Sequence, residues 1–146
     1  MDNRPIGVFD SGLGGLTVVK EIKKKLPGES LIYFGDNGRT PYGTKSKETV
    51  IKYSKQDIAF LLSMDVKLIV VACNTVSSVA LPEIKDFIKV PVLEVIGPGA
   101  DDALKKSRTG RIGIIGTPNT IYSSVYSKAI KQRNPDAKTF TKPCPI

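Results

Sequence analysis

The chain has no histidine and no tryptophan. Without histidine it cannot supply an imidazole base, an imidazole metal ligand or a serine–histidine triad. Cysteine occurs only twice, too little for a disulfide framework. The opening residues, Met1-Asp2-Asn3-Arg4-Pro5, lack the apolar core of an export signal. The expected compartment is therefore the cytoplasm, where thiols stay reduced and available for chemistry. No apolar run approaches the roughly 20 residues of a membrane helix, so no membrane partner is expected. Aromatics make up 7% of the chain, and few stand among the lysines. No stacking platform for nucleic acid is visible, and a nucleic-acid partner ranks last.

What remains is an ordinary globular balance: 146 residues, 40% hydrophobic and 25% charged, enough for one domain with a proper core. The net charge of +8 comes from 22 Lys+Arg against 14 Asp+Glu. Lys23-Lys24-Lys25 and Lys105-Lys106 fall on expected helix faces and read as solvated surface. An anionic partner is the alternative.

Short β-rich apolar runs alternate with helical patterns. Strands are expected at Ile6 to Phe9, Leu31 to Phe34, Leu68 to Ala72, Val92 to Ile96 and Ile112 to Ile115. Leu68-Ile69-Val70-Val71-Ala72 is apolar on both faces, as a buried parallel strand is. A helix from Leu16 to Leu26 carries Leu16, Val19, Ile22 and Leu26 on one stripe and stops at Pro27-Gly28. Ser46 caps a long helix to about Met64. Helical patterns follow Cys73 to about Ile88, then run from Ala100 to Lys106 after a Gly97-Pro98-Gly99 turn. A last helix is expected from Asn119 to about Lys131. The tail from Lys138 is polar and proline-rich and reads as irregular. Five β–α units predict an α/β fold with an open, doubly wound parallel sheet.

Ligands bind such sheets beyond the strands' carboxyl ends. The rim candidates are Asp10, Ser11, Gly35, Asp36, Cys73, Asn74, Thr75, Gly97, Gly116 and Thr117, with Thr120 just beyond. Cys73 ends a strand and opens a helix, where free N–H groups and the helix dipole stabilise a thiolate. A small buried hydrophobe is the alternative. Asn74 and Thr75 either cap that helix or offer donors to a carboxylate. Asp10-Ser11-Gly12-Leu13-Gly14-Gly15 reads either as a tight turn or as backbone that approaches an anion, and it lacks the P-loop and dinucleotide-site spacings. Asp10 suits a ligand that carries both an amine and a carboxylate. Gly35 to Gly43 reads either as a structured turn or as a ligand loop, in which Tyr42 beside Pro41 and Gly43 offers a fixed hydroxyl and backbone N–H groups. Thr117 and Thr120 read either as helix caps or as further ligand groups.

Ile6-Gly7-Val8-Phe9-Asp10-Ser11-Gly12, Pro41-Tyr42-Gly43, Ala72-Cys73-Asn74-Thr75, Val95-Ile96-Gly97-Pro98-Gly99-Ala100 and Ile115-Gly116-Thr117 occur in that order. Together they resemble the successive signatures of the glutamate racemases, within the aspartate/glutamate racemase superfamily. The resemblance implies two similar α/β lobes, here residues 1–97 and the start of a second lobe over 98–146. It implies interconversion of L- and D-glutamate without cofactor or metal, the D-isomer serving peptidoglycan synthesis. One base takes the α-proton from one face and a second acid returns one to the other. Cys73 matches the first base, and Asp10 assists it. Asp10, Ser11, Tyr42, Gly43, Asn74, Thr75 and Thr117 are implied as substrate-binding. Dimers are common in the family, so a homodimer is an expectation for a full-length enzyme.

Two departures stand out. Asp36-Asn37-Gly38-Arg39-Thr40 replaces the more usual Asp-Thr-Ala-Arg and an apolar residue. The family's second cysteine lies in a Cys-Thr-His-type motif that these residues do not contain. Cys144, in Lys142-Pro143-Cys144-Pro145, resembles a non-catalytic element and reads as structural. The chain is therefore expected to be part of a longer enzyme and inactive by itself. The alternatives are a one-cysteine superfamily relative, decarboxylating aryl malonates or racemising aspartate, and a non-enzymatic anion-binding module.

Overall fold

The computed structural model describes residues 2–144. Strands β1 (Ile6–Asp10), β2 (Leu31–Gly35), β3 (Leu68–Val71) and β4 (Val92–Glu94) form one parallel sheet in the order β2-β1-β3-β4. Every residue of β1 is buried. Ile6, Val8, Val70 and Ala72 face helix α1 (Leu16–Lys25), packing with its Val18, Val19 and Ile22. Phe9, Ile69 and Val71 face the other way, toward Val50, Ile58 and Leu61 of α2 (Lys47–Ser63). That alternation places helices on both faces of the sheet, as the apolar-both-sides pattern of β3 requires. Each fully buried aliphatic contributes about 1.5–3 kcal/mol of burial free energy.

The chain leaves β1 toward β2 and leaves β3 toward β4, in opposite directions along the sheet. The strand order thus reverses between β1 and β3, which pair in register from Ile6 with Leu68 to Phe9 with Val71. Asp10 and Cys73 follow immediately on these two strands. A crevice must open where adjacent strands send their connections to opposite faces.

After Cys73 come α3 (Asn74–Val79), α4 (Leu81–Ile84) and a short 3-10 turn at Lys85–Phe87, so the helical stretch is broken near Pro82. Helix α5 (Ile96–Lys106) begins earlier than expected and contains the Gly97-Pro98-Gly99 segment read as a turn. The Glu94 carboxylate explains this by accepting from the N–H groups of Ile96 and Gly97. Pro98 falls in the first turn, where a missing N–H costs nothing.

Strand β5 (Arg111–Gly116) does not extend the first sheet. It pairs in parallel with β6 (Lys138–Pro143) in a second, two-stranded sheet, which with its helices forms a second unit of the described residues. Within the tail read as irregular, Lys138–Pro143 is therefore a strand, with Thr139, Phe140 and Thr141 supplying β-favouring side chains and Pro143 at its end; residues 145 and 146 lie outside the described residues. The single helix expected after Thr117 is two, α6 (Pro118–Tyr122) and α7 (Val125–Arg133), broken where Ser124 adopts φ 57°. Leu16 at the start of α1 and Leu26 just after its end are exposed, and Val18 joins Val19 and Ile22 on the packed face. Lys23, Lys24 and Lys25 occupy the last turn of α1, and Lys105 and Lys106 that of α5. There their charge complements the helix dipole. Among the described residues, no helix is long and apolar enough to cross a membrane.

Candidate active site

Asp10 is the last residue of β1 and is buried. One carboxylate oxygen accepts from the N–H groups of Gly12, at 3.2 Å, and Gly15, at 3.0 Å. The glycine turn thus curls over Asp10 and holds it by backbone. Gly15 must be glycine, because a Cβ there would stand 2.7 Å from that of Asp10 and 3.1 Å from that of Ala72. Tyr33, from β2, donates its hydroxyl to the Gly12 carbonyl at 2.5 Å and steadies the same turn. Burial, then the nearby Asp10 and Cys73, push its phenol up to about 12.

Cys73 lies across the strand reversal, 5% exposed, with its sulfur 3.2 Å from the Ser11 hydroxyl. It is the N-cap residue of α3. The position at a helix start would by itself favour a thiolate. Instead burial pushes the thiol up and Asp10 pushes the same way. The Ser11 hydroxyl and the Val76 and Ser11 N–H groups pull down without overcoming burial. With no cation among the described residues acting on the sulfur, hydrogen bonds alone do not offset desolvation.

Thr75 is buried, with its hydroxyl 3.0 Å from that of Thr117. Thr117 caps α6 by accepting from the Thr120 N–H, so its capping and rim roles coexist. Gly43 packs directly on Thr117, where an added Cβ would come within 2.4 Å of the threonine side chain. Asn74 is exposed, and its side-chain oxygen accepts from the Tyr126 hydroxyl at 2.6 Å. Asp10, Ser11, Cys73, Asn74 and Thr75 are thus gathered at the strand reversal, with Gly43 and Thr117 closing one side.

Tyr42 is the exception among the expected ligand groups. Its side chain is 1% exposed, and its hydroxyl is committed to Asp36 and, at 2.8 Å, Asp57. The hydroxyl is therefore not available to a ligand here; only the backbone of Tyr42 joins the rim. Asp36 likewise turns its carboxylate into the core. Gly97 is engaged by Glu94 inside α5. Cys144 follows β6 with its N–H donating to the Gly116 carbonyl at 2.8 Å, and its thiol is half-buried. No three of the described Cys, Asp or Glu side chains converge as a metal site would require.

Several residues escaped the sequence reading. Asp57 sits on the buried stripe of α2 with Val50, Ser54, Ile58 and Leu61, and a lone acid at that spacing was the available signal. Asn119 donates its side-chain amide to the carbonyls of Tyr42, at 3.1 Å, and Lys45, at 2.9 Å. Nothing local to Asn119 announces that reach.

The fold and sequence also match known proteins. A family model for Asp/Glu/Hydantoin racemases matches residues 6–142. Glutamate racemase from Geobacter metallireducens is 54% identical over 143 residues, covering 98% of this chain and 53% of that protein. One from Streptococcus thermophilus is 50% identical over 145 residues, covering 99% and 54%. Among solved structures, a glutamate racemase isoform from Bacillus anthracis has TM-score 0.94 at 43% identity, covering 99% of this chain and 55% of that one. The Francisella tularensis enzyme, in complex with D-glutamate, has TM-score 0.90 at 45% identity, covering 99% and 54%. The chain spans about half the length of the relatives it matches. With its α/β architecture and its ordered rim residues, this chain belongs to the Asp/Glu/Hydantoin racemase family.

Proposed function

We propose that this chain supplies one proton-transfer face of a glutamate racemase, with Cys73 as the base on that face. The observation that carries the reading is the pairing of the Ser11 hydroxyl with the Cys73 sulfur beside a buried carboxylate, Asp10, at the strand reversal. A substrate ammonium placed beside Asp10 offsets the carboxylate's repulsion of a thiolate, so substrate arrival itself favours the charged sulfur. The thiolate takes the α-proton and the Cα–H electron pair stays on the substrate as a carbanion. A second acid on the opposite face then protonates Cα, inverting it. The family's second cysteine is the expected donor, in a Cys-Thr-His-type motif that these residues do not match. The Thr75–Thr117 hydroxyl pair and the Gly43 backbone offer hydrogen bonds to substrate carboxylate oxygens, and Asn74 completes the set.

The same proposal places the reaction in the cytoplasm and divides the chain at residue 97 between a first lobe and the start of a second. It includes a homodimer of the complete enzyme, to be read by sizing. The test is a chimera that continues this chain with the remaining length of the Geobacter metallireducens relative. Glutamate, aspartate and an aryl malonate are offered in parallel. Interconversion of D- and L-glutamate by circular dichroism, lost in Cys73→Ser, is expected. Turnover of aspartate or the malonate in preference to glutamate would overturn the substrate, and an active Cys73→Ser would overturn the base.

A further inference from the structure

One group of titratable side chains, buried except for the half-buried Arg39, takes no part in the proton transfer. Beneath the Pro41-Tyr42-Gly43 loop lie Asp36, Arg39, Tyr42 and Asp57. Asp57 comes from the middle of α2 and is 1% exposed. One of its oxygens accepts from Arg39 Nη2 at 2.5 Å, and the other from the Tyr42 hydroxyl at 2.8 Å. Asp36 accepts from the same hydroxyl and forms an ion pair with Arg39, whose Nε stands 2.7 Å from its carboxylate. Arg39 also donates to Gln56 at 2.5 Å and stacks 4.3 Å above the Tyr53 ring.

A carboxylate on the packed stripe of a helix costs free energy that its partners only partly return. An aliphatic residue would fill the same place without that cost, so stability does not account for Asp57. Its geometry does. Its two contacts fall on residues 39 and 42, on either side of Pro41, and so fasten the loop to α2 at two points. The opposite side of the loop is held by the second unit. There the Asn119 side chain bonds the Tyr42 and Lys45 carbonyls, and the Asn119 N–H donates to the Gly43 carbonyl at 3.1 Å. Gly43 lies between these two holds, pressed against Thr117.

We propose that Asp57 is a positioning residue for the rim: by gripping Arg39 and Tyr42 it sets where the Tyr42–Gly43 backbone meets Thr117 and Asn119. Asp57 reaches the wall of the site that receives a substrate carboxylate only through this loop. That last step rests on the glutamate reading given above; the positioning itself does not.

The test is native-state hydrogen exchange on the 146-residue chain, comparing wild type with Asp57→Ala and the isosteric Asp57→Asn. Asp57 makes no hydrogen bond to Asn119, so a local structural role would leave that amide alone. In Asp57→Ala, exchange at the Asn119 and Lys45 amides is expected to speed up tenfold or more. The Ala72 amide, which donates to Phe9 across β1 and β3, should not change. Asp57→Asn keeps an acceptor for Tyr42 and should fall between, and it serves alone if Asp57→Ala folds poorly. Unchanged exchange at Asn119, or an equal rise at Asn119 and Ala72, would overturn the proposal. In the chimera, Asp57→Asn should raise KM for glutamate several-fold, leave kcat within about threefold, and leave the pH profile of Cys73 alkylation unmoved. A KM unchanged while Asn119 exchanges faster would overturn the extension to the substrate wall. A wild-type chimera inactive on glutamate, with Asn119 exchange still responding, would sink the substrate reading and leave the positioning role standing.

Discussion

The Ser11 hydroxyl stands 3.2 Å from the Cys73 sulfur, on a neighbouring strand end. It is the side-chain hydrogen bond that works against burial at this thiol. Removing it in Ser11→Ala should push the Cys73 thiol further up, because the charged sulfur loses a hydrogen bond. In a Cys144→Ser background, iodoacetamide should then react about tenfold more slowly at a pH near 8. An unchanged rate–pH profile would show that the hydroxyl does not stabilise the thiolate.

Asp10 acts in the opposite direction, since its charge pushes the thiol up. Asp10→Asn should lower the Cys73 pKa and speed alkylation, while abolishing turnover in the chimera if Asp10 holds the substrate amine. The combination is diagnostic: a more reactive cysteine in a dead enzyme. Slower alkylation in Asp10→Asn would contradict the charge argument.

Gly43 and Thr117 are in closer contact than any side chain at 43 permits. Gly43→Ala forces the loop or the start of α6 to move, at a cost of about 1–3 kcal/mol. Urea unfolding measures that loss. Gly28→Ala, where an added Cβ meets nothing within 4 Å, is the control and should change stability by far less.

Burial pushes the Asp57 carboxyl up to about 6, with Asp36 adding repulsion while the Tyr42 and Arg39 contacts pull down. The groups facing it are Asp36, Arg39 and Tyr42, with Tyr53 and Gln56 behind Arg39. The unfolded carboxyl titrates near 4, so the native state holds the proton more tightly between roughly pH 4 and 6. The resulting stabilisation is complete below about pH 4 and is lost as pH rises through about 6. The stability of wild type relative to Asp57→Asn should therefore fall by on the order of 2–3 kcal/mol from pH 4 to 7. A flat difference, or one that grows with pH, would refute the raised carboxyl.

The first sheet was legible because burial dictates its pattern. Val70 and Val71 face opposite helices, and only a doubly covered strand is apolar at both. Ser46 announced its helix by type, and its hydroxyl does accept from the Thr49 N–H. The strand Lys138–Pro143 was not legible, because much of it is exposed and its sequence carries no alternation. The start of α5 was hidden because Glu94, outside the helix, supplies the acceptor that lets Ile96-Gly97 turn. At the site, strand ends could be listed from the sequence, and Asp10, Ser11, Cys73 and Thr75 do meet. The inward turn of the Tyr42 hydroxyl was not legible, because one of its two acceptors, Asp57, approaches from a helix 15 residues further along the chain.

The strand reversal also bears on how the site comes into being. Ser11 and Cys73 are 62 residues apart, and they meet only when β1 and β3 pair in parallel. Such pairing closes a long loop before it gains any contact, and it is among the slower events of folding. Until it occurs the sulfur stays in water with an ordinary thiol's reactivity. Protection of Cys73 from a short alkylation pulse during refolding is thus a clock for the joining of those two strands, read at the residue the fold was built to shelter.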